Sequence, residues 1–328
     1  MKKVRTPDYN YDFNPETGLF VRWGKTPDDD PKWSPLGAEI ADIEISTICH
    51  GINGVPCAYC YKSNVGKGHN MSLNTFKKIF KNLPTNITQI AFGIGDIDSN
   101  PDMLDIFRYC RENGVIPNVT INGDRLSKYM VESLVEVCGA VAVSNHGNKD
   151  ICYGAVKALT DAGLKQVNIH QVLCKETLDE CYEVISDIET DPRLANLNAL
   201  VFLSIKTIGR GRLMHKVSEE EFASVVELAM EFRIPFGFDS CSCNKFLRVT
   251  AHKHPELAIF AEPCESTLFS IYINVFGYVY PCSFAEEGNM WLGDATKTPL
   301  NTIWKSRKCN DFRKMLERSC RSCPIHDV

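Results

Sequence analysis

The stretch "CHGINGVPCAYCYKSN", residues 49–64, gathers three cysteines: seven residues separate Cys49 from Cys57, and two separate Cys57 from Cys60. Thiolates select zinc, copper(I) or iron–sulfur clusters. A structural zinc or a fully protein-held cubane needs four ligands, so three on one loop would leave a corner of the metal group open to a reacting molecule. On this stretch alone zinc remains an alternative. The next cysteine, Cys110, falls far along the chain in another predicted element.

A second group lies in the last third of the chain. Cys264 is followed by twelve residues, Gly277, four more residues and Cys282, and Cys320 and Cys323 come later in "CRSC". The intervening "LFSIYINVFGYVYPC" predicts a hairpin turning at Phe276 and Gly277, which would return Cys264 and Cys282 to one place. Four thiolates on a hairpin and a short loop could close one cluster, and a zinc ribbon would use the same pairs. Cys241 and Cys243 in "FDSCSCNKF" are extra: they could replace a ligand, touch substrate as catalytic thiols, or be small buried residues. Cys110, Cys138, Cys152, Cys174, Cys181 and Cys309 read as structural.

Composition narrows the classes. The chain has 328 residues, enough for one large domain and a smaller one around a substantial core. Its 36 Lys and Arg against 41 Asp and Glu give a net charge of −5 without long single-sign runs, which argues against broad electrostatic binding to nucleic acid. The start, "MKKVRTPDYNYDFNPETG", has no apolar segment of a signal peptide. The longest apolar runs, "NALVFLSI" and "IYINVFGYVY", fall well short of the roughly 20 residues that span a bilayer. A soluble, cytoplasmic protein with reduced thiols is expected, so its 15 cysteines point to metal or redox chemistry rather than a disulfide framework.

The elements that must position these cysteines show in the hydrophobic periodicity. Residues 1–38 read as an ordered extension with a hairpin turning at Asn14 to Gly18, a packing flap in preference to a substrate clamp. From residue 39 to 235 six strand-then-helix units alternate: "ADIEIS", "TQIAFG", "IPNVTI", "AVAVS", "QVNIHQ" and "ALVFLSI" each precede an amphipathic helix. The first helix starts near Ser72 and puts Phe76, Ile79, Phe80 and Leu83 on one face. Capping boxes are expected at Thr177 with Glu180 and at Ser218 with Glu221. Short, doubly buried apolar strands wrapped by helices predict an α/β fold. Six units fall short of the eight that close a barrel, so the expectation is a partial (β/α)6 TIM-like barrel. Residues 236–328 would form a small β-hairpin and helix domain, with "PLNTIWKSRKCNDFRKML" as one amphipathic helix. Ligands of such sheets sit at the C-terminal ends of the strands, where the three-cysteine loop falls.

This loop resembles the cluster loop of the radical S-adenosylmethionine (radical SAM) enzymes, in which three cysteines hold a [4Fe–4S] cluster and SAM occupies the fourth iron. Here seven residues, not the commoner three, separate the first two cysteines, while Tyr59 supplies the aromatic usually found before the last. "AFGIGDIDSNP" resembles the family's glycine-rich SAM segment: Gly93, Gly95 and Pro101 match in place, Ile94 replaces a glycine and Asp96 replaces the glutamate that meets the SAM amine. "AVAVSNHGN" is similar to the fourth-strand segment, which implies ribose contacts for Ser144 and Asn145. The same resemblance implies that His170 and Leu203 line the adenine pocket and that Arg210, in "IGRGRL", meets the SAM carboxylate or the substrate. Lys62 and Lys67 read as solvated surface or as neighbours of SAM, and His146 as a solvated loop histidine. The spacing of Cys264, Gly277 and Cys282 resembles the opening of the SPASM and twitch extensions, with Cys320 and Cys323 completing one auxiliary cluster of the shorter twitch type, a [4Fe–4S] centre.

The resemblance spans residues 40–328. It implies reductive cleavage of SAM to a 5′-deoxyadenosyl radical, hydrogen abstraction from substrate, and a flavodoxin- or ferredoxin-type electron donor. A peptide or protein substrate is the first expectation, and a nucleoside or DNA base the alternative. The non-enzyme alternative is a structural or electron-transfer metal-cluster protein.

Overall fold

A computed structural model describes residues 1–286, 288 and 290–325. Its N-terminal sheet has three antiparallel strands: β1 (Lys2–Arg5), β2 (Asn10–Phe13) and β3 (Phe20–Trp23). The expected hairpin is β2–β3, with Gly18 at φ +73° in its turn, and β1 adds an edge that periodicity did not announce. Tyr9, Tyr11 and Phe13 are buried against Cys264, Leu268, Phe269, Phe312 and Leu316. The Tyr11 hydroxyl donates to Asn86 O at 2.7 Å, and Lys2 Nζ to Thr85 O at 2.9 Å. These partners precede a barrel strand, so the extension sits at the strand N-terminal ends, away from the cysteine loop. There it packs against the barrel and the C-terminal region.

The central sheet follows the predicted alternation. Its parallel strands are β4 (Ile40–Glu44), β5 (Gln89–Gly93), β6 (Ile116–Ile121), β7 (Ala140–Asn145), β8 (Gln166–Leu173) and β9 (Ala199–Ser204). They are followed in turn by α1 (Leu73–Lys81), α2 (Met103–Glu112), α3 (Lys128–Val137), α4 (Lys149–Asp161), α5 (Leu178–Thr190) and α6 (Glu219–Glu231). Ser72, Ser127 and Ser218 cap their helices by accepting an amide hydrogen, the expected use of a short hydroxyl at that position. The box at Ser218 and Glu221 forms as expected. The one at Thr177 does not: Thr177 Oγ1 donates to Val172 O at 2.6 Å and accepts from Cys174 N at 3.2 Å, so it closes a turn begun at Cys174 and leaves α5 uncapped by a side chain.

One further expectation is corrected. The barrel strands are not buried on both faces. β8 alternates strictly between half-buried and buried residues, and β9 does the same. The buried set (Val167, Ile169, Leu173, Leu200, Phe202) packs beneath the helices, while the half-buried set faces the lumen of an open barrel. The strands of the C-terminal region join the same sheet. A short strand β10 (Phe236–Phe238) pairs parallel with β9, and after α7 (Cys243–Thr250) the strand β11 (Ser270–Ile273) pairs parallel with β4, with Ile271 opposite Ala41 and Ile273 opposite Ile43. β12 (Tyr278–Tyr280) and β13 (Gly293–Asp294) continue antiparallel from β11. The order β10-β9-β8-β7-β6-β5-β4-β11-β12-β13 makes one ten-stranded sheet among the described residues. The predicted hairpin thus extends the barrel wall beside its first strand.

The predicted C-terminal helix is two, α8 (Leu300–Trp304) and α9 (Arg307–Arg318), because Ser306 leaves helical geometry to cap α9. Among the described residues no helix is long and apolar enough to cross a membrane.

The seam between β4 and β11 joins two stretches far apart in sequence, and Ile43 and Ile273 on it are fully buried. Ile273→Ala is expected to lower unfolding stability by about 2–5 kcal/mol, the range for truncating a buried isoleucine, in urea titrations followed by circular dichroism. A loss under about 1 kcal/mol, the size of a tolerated volume-conserving swap, would show that the hairpin does not pack as part of the wall.

Candidate functional site

The three-cysteine loop leaves β4 at the C-terminal end of the sheet and returns to α1. Backbone pairing holds it at its base: Thr47 N donates to His69 O at 3.0 Å, Cys49 N to Val65 O at 2.9 Å, and Ile48 forms a bridge with Val65. At its tip Cys60 N reaches Cys57 O at 3.4 Å and Ser63 N reaches Cys60 O at 3.2 Å, a tight turn that sets the last two thiols side by side. The three thiols feel one another: Cys57 and Cys60 share a hydrogen bond, and Cys49 lies near both. The proton shared with Cys57, and then the amides of Asn64 and Lys62, pull Cys60 down against the effect of burial. Burial pushes Cys49 up. Three neighbouring thiols on one loop are chemically suited to bind iron. All three are only partly buried, whereas Cys110, Cys138, Cys152, Cys174, Cys181 and Cys309 are buried, as the sequence predicts.

The glycine-rich segment after β5 docks on this loop. Asp96 N donates to Ile48 O at 3.0 Å, and a Cβ on Gly95 would stand 2.1 Å from Ile48 O and 2.6 Å from the Cys49 Cβ. Only a glycine lets the two backbones approach this closely. Gly93 has no such role, since a Cβ there meets nothing nearer than 3.5 Å. The Asp96 carboxylate, expected to meet the SAM amine, is turned into the loop. Its Oδ2 accepts from His50 N at 2.9 Å and His50 Nδ1 at 2.6 Å, and stands 2.7 Å from Arg125 Nη2. Burial alone would raise its pKa, but the hydrogen bonds from His50 and Arg125 prevail and hold it below the ordinary carboxylate range. Asp96 is thereby a brace for Cys49.

Arg210 braces the other end. Its Nε donates to Cys57 O at 2.9 Å, its Nη1 to Asn64 O at 3.1 Å and its amide to Cys60 O at 3.0 Å. The approach again requires glycine, because Gly209 has φ +54° and its Cβ would lie 2.3 Å from Tyr61 O. The guanidinium expected to bind the SAM carboxylate or substrate therefore clamps the loop carbonyls. Lys62 is not solvated either: it is held by Glu44 at 3.1 Å, by Glu286 and by the Tyr272 hydroxyl at 2.9 Å, tying the loop to the hairpin. Lys67 is exposed.

The lumen side of the loop meets the middle strands through Tyr59. Its hydroxyl lies 3.1 Å from Asn145 O and 2.9 Å from His146 Nδ1, and its ring stacks on His146 with centroids 5.7 Å apart. Instead of being solvated, His146 is held neutral by burial, its pKa lowered to about 4. Asn145 Nδ2 donates to Gln171 Oε1 at 2.8 Å, while its buried Oδ1 has no hydrogen-bond partner. Ser144 and His170 are register neighbours on the lumen face, and Leu203 lies beside Val172 on the same face. Burial lowers His170 to about 4. A rim of neutral hydrogen-bonding groups and aliphatic side chains above three thiols suits a nucleoside-bearing ligand.

In the C-terminal group the structure brings together Cys264, Cys282 and Cys323, which are electrostatic neighbours, and adds Cys241, whose thiol is hydrogen-bonded to that of Cys323. Cys320, expected to join them, is exposed at the end of α9. Cys243 is buried at the start of α7, in line with a packing role. Among the described residues no three His, Cys, Asp or Glu side chains converge closely enough for a single metal ion. Tyr61 and Phe284, edge to face at 4.7 Å between centroids, lie between the groups.

Residues 264–324 match the family model of the SPASM domain, an iron–sulfur cluster-binding domain. The fold matches SuiB of Streptococcus suis bound to its precursor peptide SuiA, at 15% identity and a TM-score of 0.68, over 85% of this chain and 67% of that one. SuiB bound to S-adenosylmethionine matches equally, over 85% of this chain and 68% of that one, at 15% identity and a TM-score of 0.68. This chain has the fold of the radical SAM enzymes that carry a SPASM domain. A further match is anSMEcpe with bound AdoMet and Cp18Cys peptide, at 15% identity and a TM-score of 0.61, over 87% of this chain and 86% of that one. No curated protein sequence matches significantly. In radical SAM terms the three-cysteine loop and glycine-rich segment sit where their order along the chain predicts, while the braces His50 and Arg125 carried no sequence signal. His50 follows Cys49 directly, but its partner is 46 residues away.

Gly95→Ala is expected to displace Cys49 and to lower iron in the anaerobically reconstituted protein from about eight toward about four per chain. Gly93→Ala should leave the iron content unchanged. Equal iron in both variants would contradict the docking described.

Proposed function

We propose that the chain is a radical SAM enzyme that modifies a peptide or protein substrate. The observation that carries this reading is the loop at the C-terminal end of an open barrel, which presents three neighbouring thiols and has no fourth cysteine in its own sequence. An electron-transfer or structural cluster would be completed by a fourth protein ligand, whereas this set leaves one position for a small molecule. Cys49, Cys57 and Cys60 would hold a [4Fe–4S] cluster with SAM on its remaining iron. When bound, that pair supplies one-electron cleavage of the sulfonium and a carbon radical able to take a hydrogen atom from substrate.

This chain's own residues fix where that happens. Asp96 and Arg210 hold the loop from its two ends, so the thiols keep their spacing when the ligand enters. Tyr59, the Asn145 backbone carbonyl and His146 form one hydrogen-bonded corner beside the loop. Ser144, His170 and Leu203 extend that corner across the lumen face for a ribose and a base. Held neutral by burial, His146 and His170 add no charge that would repel a sulfonium. The C-terminal thiols would hold one auxiliary [4Fe–4S] cluster that accepts the electron left on substrate or helps to bind it. A flavodoxin- or ferredoxin-type protein would supply the reducing electron. The SPASM-domain match and the bound peptides of SuiB and anSMEcpe support a peptide substrate over a nucleoside.

Reconstituted protein given SAM and dithionite is expected to form 5′-deoxyadenosine, and Cys60→Ala to abolish it, as read by liquid chromatography. A Cys60→Ala protein as active as the parent would refute the assignment. Tyr59→Phe keeps the stacked ring but loosens the corner by removing the hydroxyl's hydrogen bonds to Asn145 O and His146 Nδ1, about 0.5–1.5 kcal/mol each, so SAM should bind at least about twofold more weakly by equilibrium dialysis.

A further inference from the structure

We propose that the auxiliary cluster is held by Cys241, Cys264, Cys282 and Cys323, and that Cys320, the partner expected from the "CRSC" spacing, is left outside it. The inference rests on the auxiliary-cluster part of the proposed function. Four separate elements deliver these thiols: the turn after β10, the entry to the hairpin, its exit, and the loop after α9.

Cys241 is fixed in place from below. Asp239 N donates to Phe202 O at 3.0 Å, Ser242 N donates back to Asp239 O at 2.9 Å, and Ser242 Oγ is bonded to Ser204 Oγ at 2.6 Å. This turns the helical turn Ser240–Ser242 so that Cys241 meets Cys323, and Asn244 bonds to the neighbouring Ser322. Lys206, almost fully buried, is bonded to Asp239 at 2.6 Å and lies close to both Cys241 and Cys323. A buried cation against this pair favours a site of gathered negative charge, as four thiolates on a cluster would be.

Cys320 is held away by the end of α9. Cys320 N donates to Glu317 O at 3.3 Å and Arg321 N to Leu316 O at 2.7 Å, closing the helix. Cys320 and Arg321, at φ +50° and +60°, then reverse the chain. Arg321 Nε reaches Cys264 O at 3.1 Å and Nη2 reaches Pro263 O at 3.2 Å, which fastens the loop to the hairpin entry with Cys323 inward. Cys320 lines an outer cavity with Trp33, Asn310 and Lys314. Cys320 thus stands on the outer side of this turn, whereas Cys241 already meets Cys323.

The test uses the full chain with C49A, C57A and C60A together, so that only the auxiliary cluster can bind iron. After anaerobic reconstitution it is treated with iodoacetamide and digested for mass spectrometry, before and after a chelator strips the iron. The expected result is roughly four irons per chain, with Cys320 alkylated at once and Cys241 only after stripping. Adding C320S should keep the iron, and adding C241S should lose most of it. Cys241 alkylated while iron is bound, or Cys320 protected, would overturn this inference alone. A chain holding no iron would overturn it together with the auxiliary cluster of the proposed function, leaving the three-cysteine loop to be judged by 5′-deoxyadenosine formation in the parent protein.

Discussion

The contact on which this molecule's chemistry depends is the packing of the Gly95–Asp96 backbone against Ile48 and Cys49. A carboxylate with a side chain only 1% exposed takes hydrogen bonds from the His50 amide and ring and faces Arg125. Hydrogen bonds to a charged acceptor are worth about 1.5–3 kcal/mol each, more than neutral ones, so this corner resists fraying although it lies in a loop. The same corner ties the ends of β4 and β5, which are paired along their length. The sheet therefore fixes Cys49 through two backbones rather than through one flexible side chain.

The rest of the loop is held from other directions. Arg210 clamps the carbonyls around Cys57 and Cys60 from the loop after β9, and Lys62 reaches Glu44, Glu286 and Tyr272 at the hairpin. Because β11 continues the wall beside β4, the hairpin that carries Cys282 and the strand that leads to Cys49 belong to one rigid sheet. Tyr61 on Phe284 spans the remaining gap. The spacing of the two thiol groups is set by sheet register and aromatic packing, and the lumen between them and the middle strands is left open for a ligand.

Much of the fold was legible because its signals are local. Capping serines at 72, 127 and 218, helical faces such as Phe76 and Ile79, and short strands between them need only neighbouring residues to be read. Thr177 shows the limit: its hydroxyl had the right spacing to cap α5 but is taken by Val172 O, a partner supplied by the end of β8. The strands of "ALVFLSI" and "QVNIHQ" are apolar enough on both sides to read as doubly buried. Only the curvature of the sheet decides that one face opens onto a lumen.

By itself, the sequence determined the α/β alternation and the hairpin at Gly277, and it singled out the cysteine sets at 49, 57 and 60 and at 264, 282, 320 and 323, since residue type and spacing within a loop or hairpin are local properties. Tertiary structure alone decided that Asp96 and Arg210 brace the loop, that His146 joins Tyr59, that the hairpin extends the barrel wall, and that Cys241 lies against Cys323. Each of these joins residues distant in the chain. A side chain's partner is chosen by which backbone folds against it, and no spacing within the sequence encodes that approach.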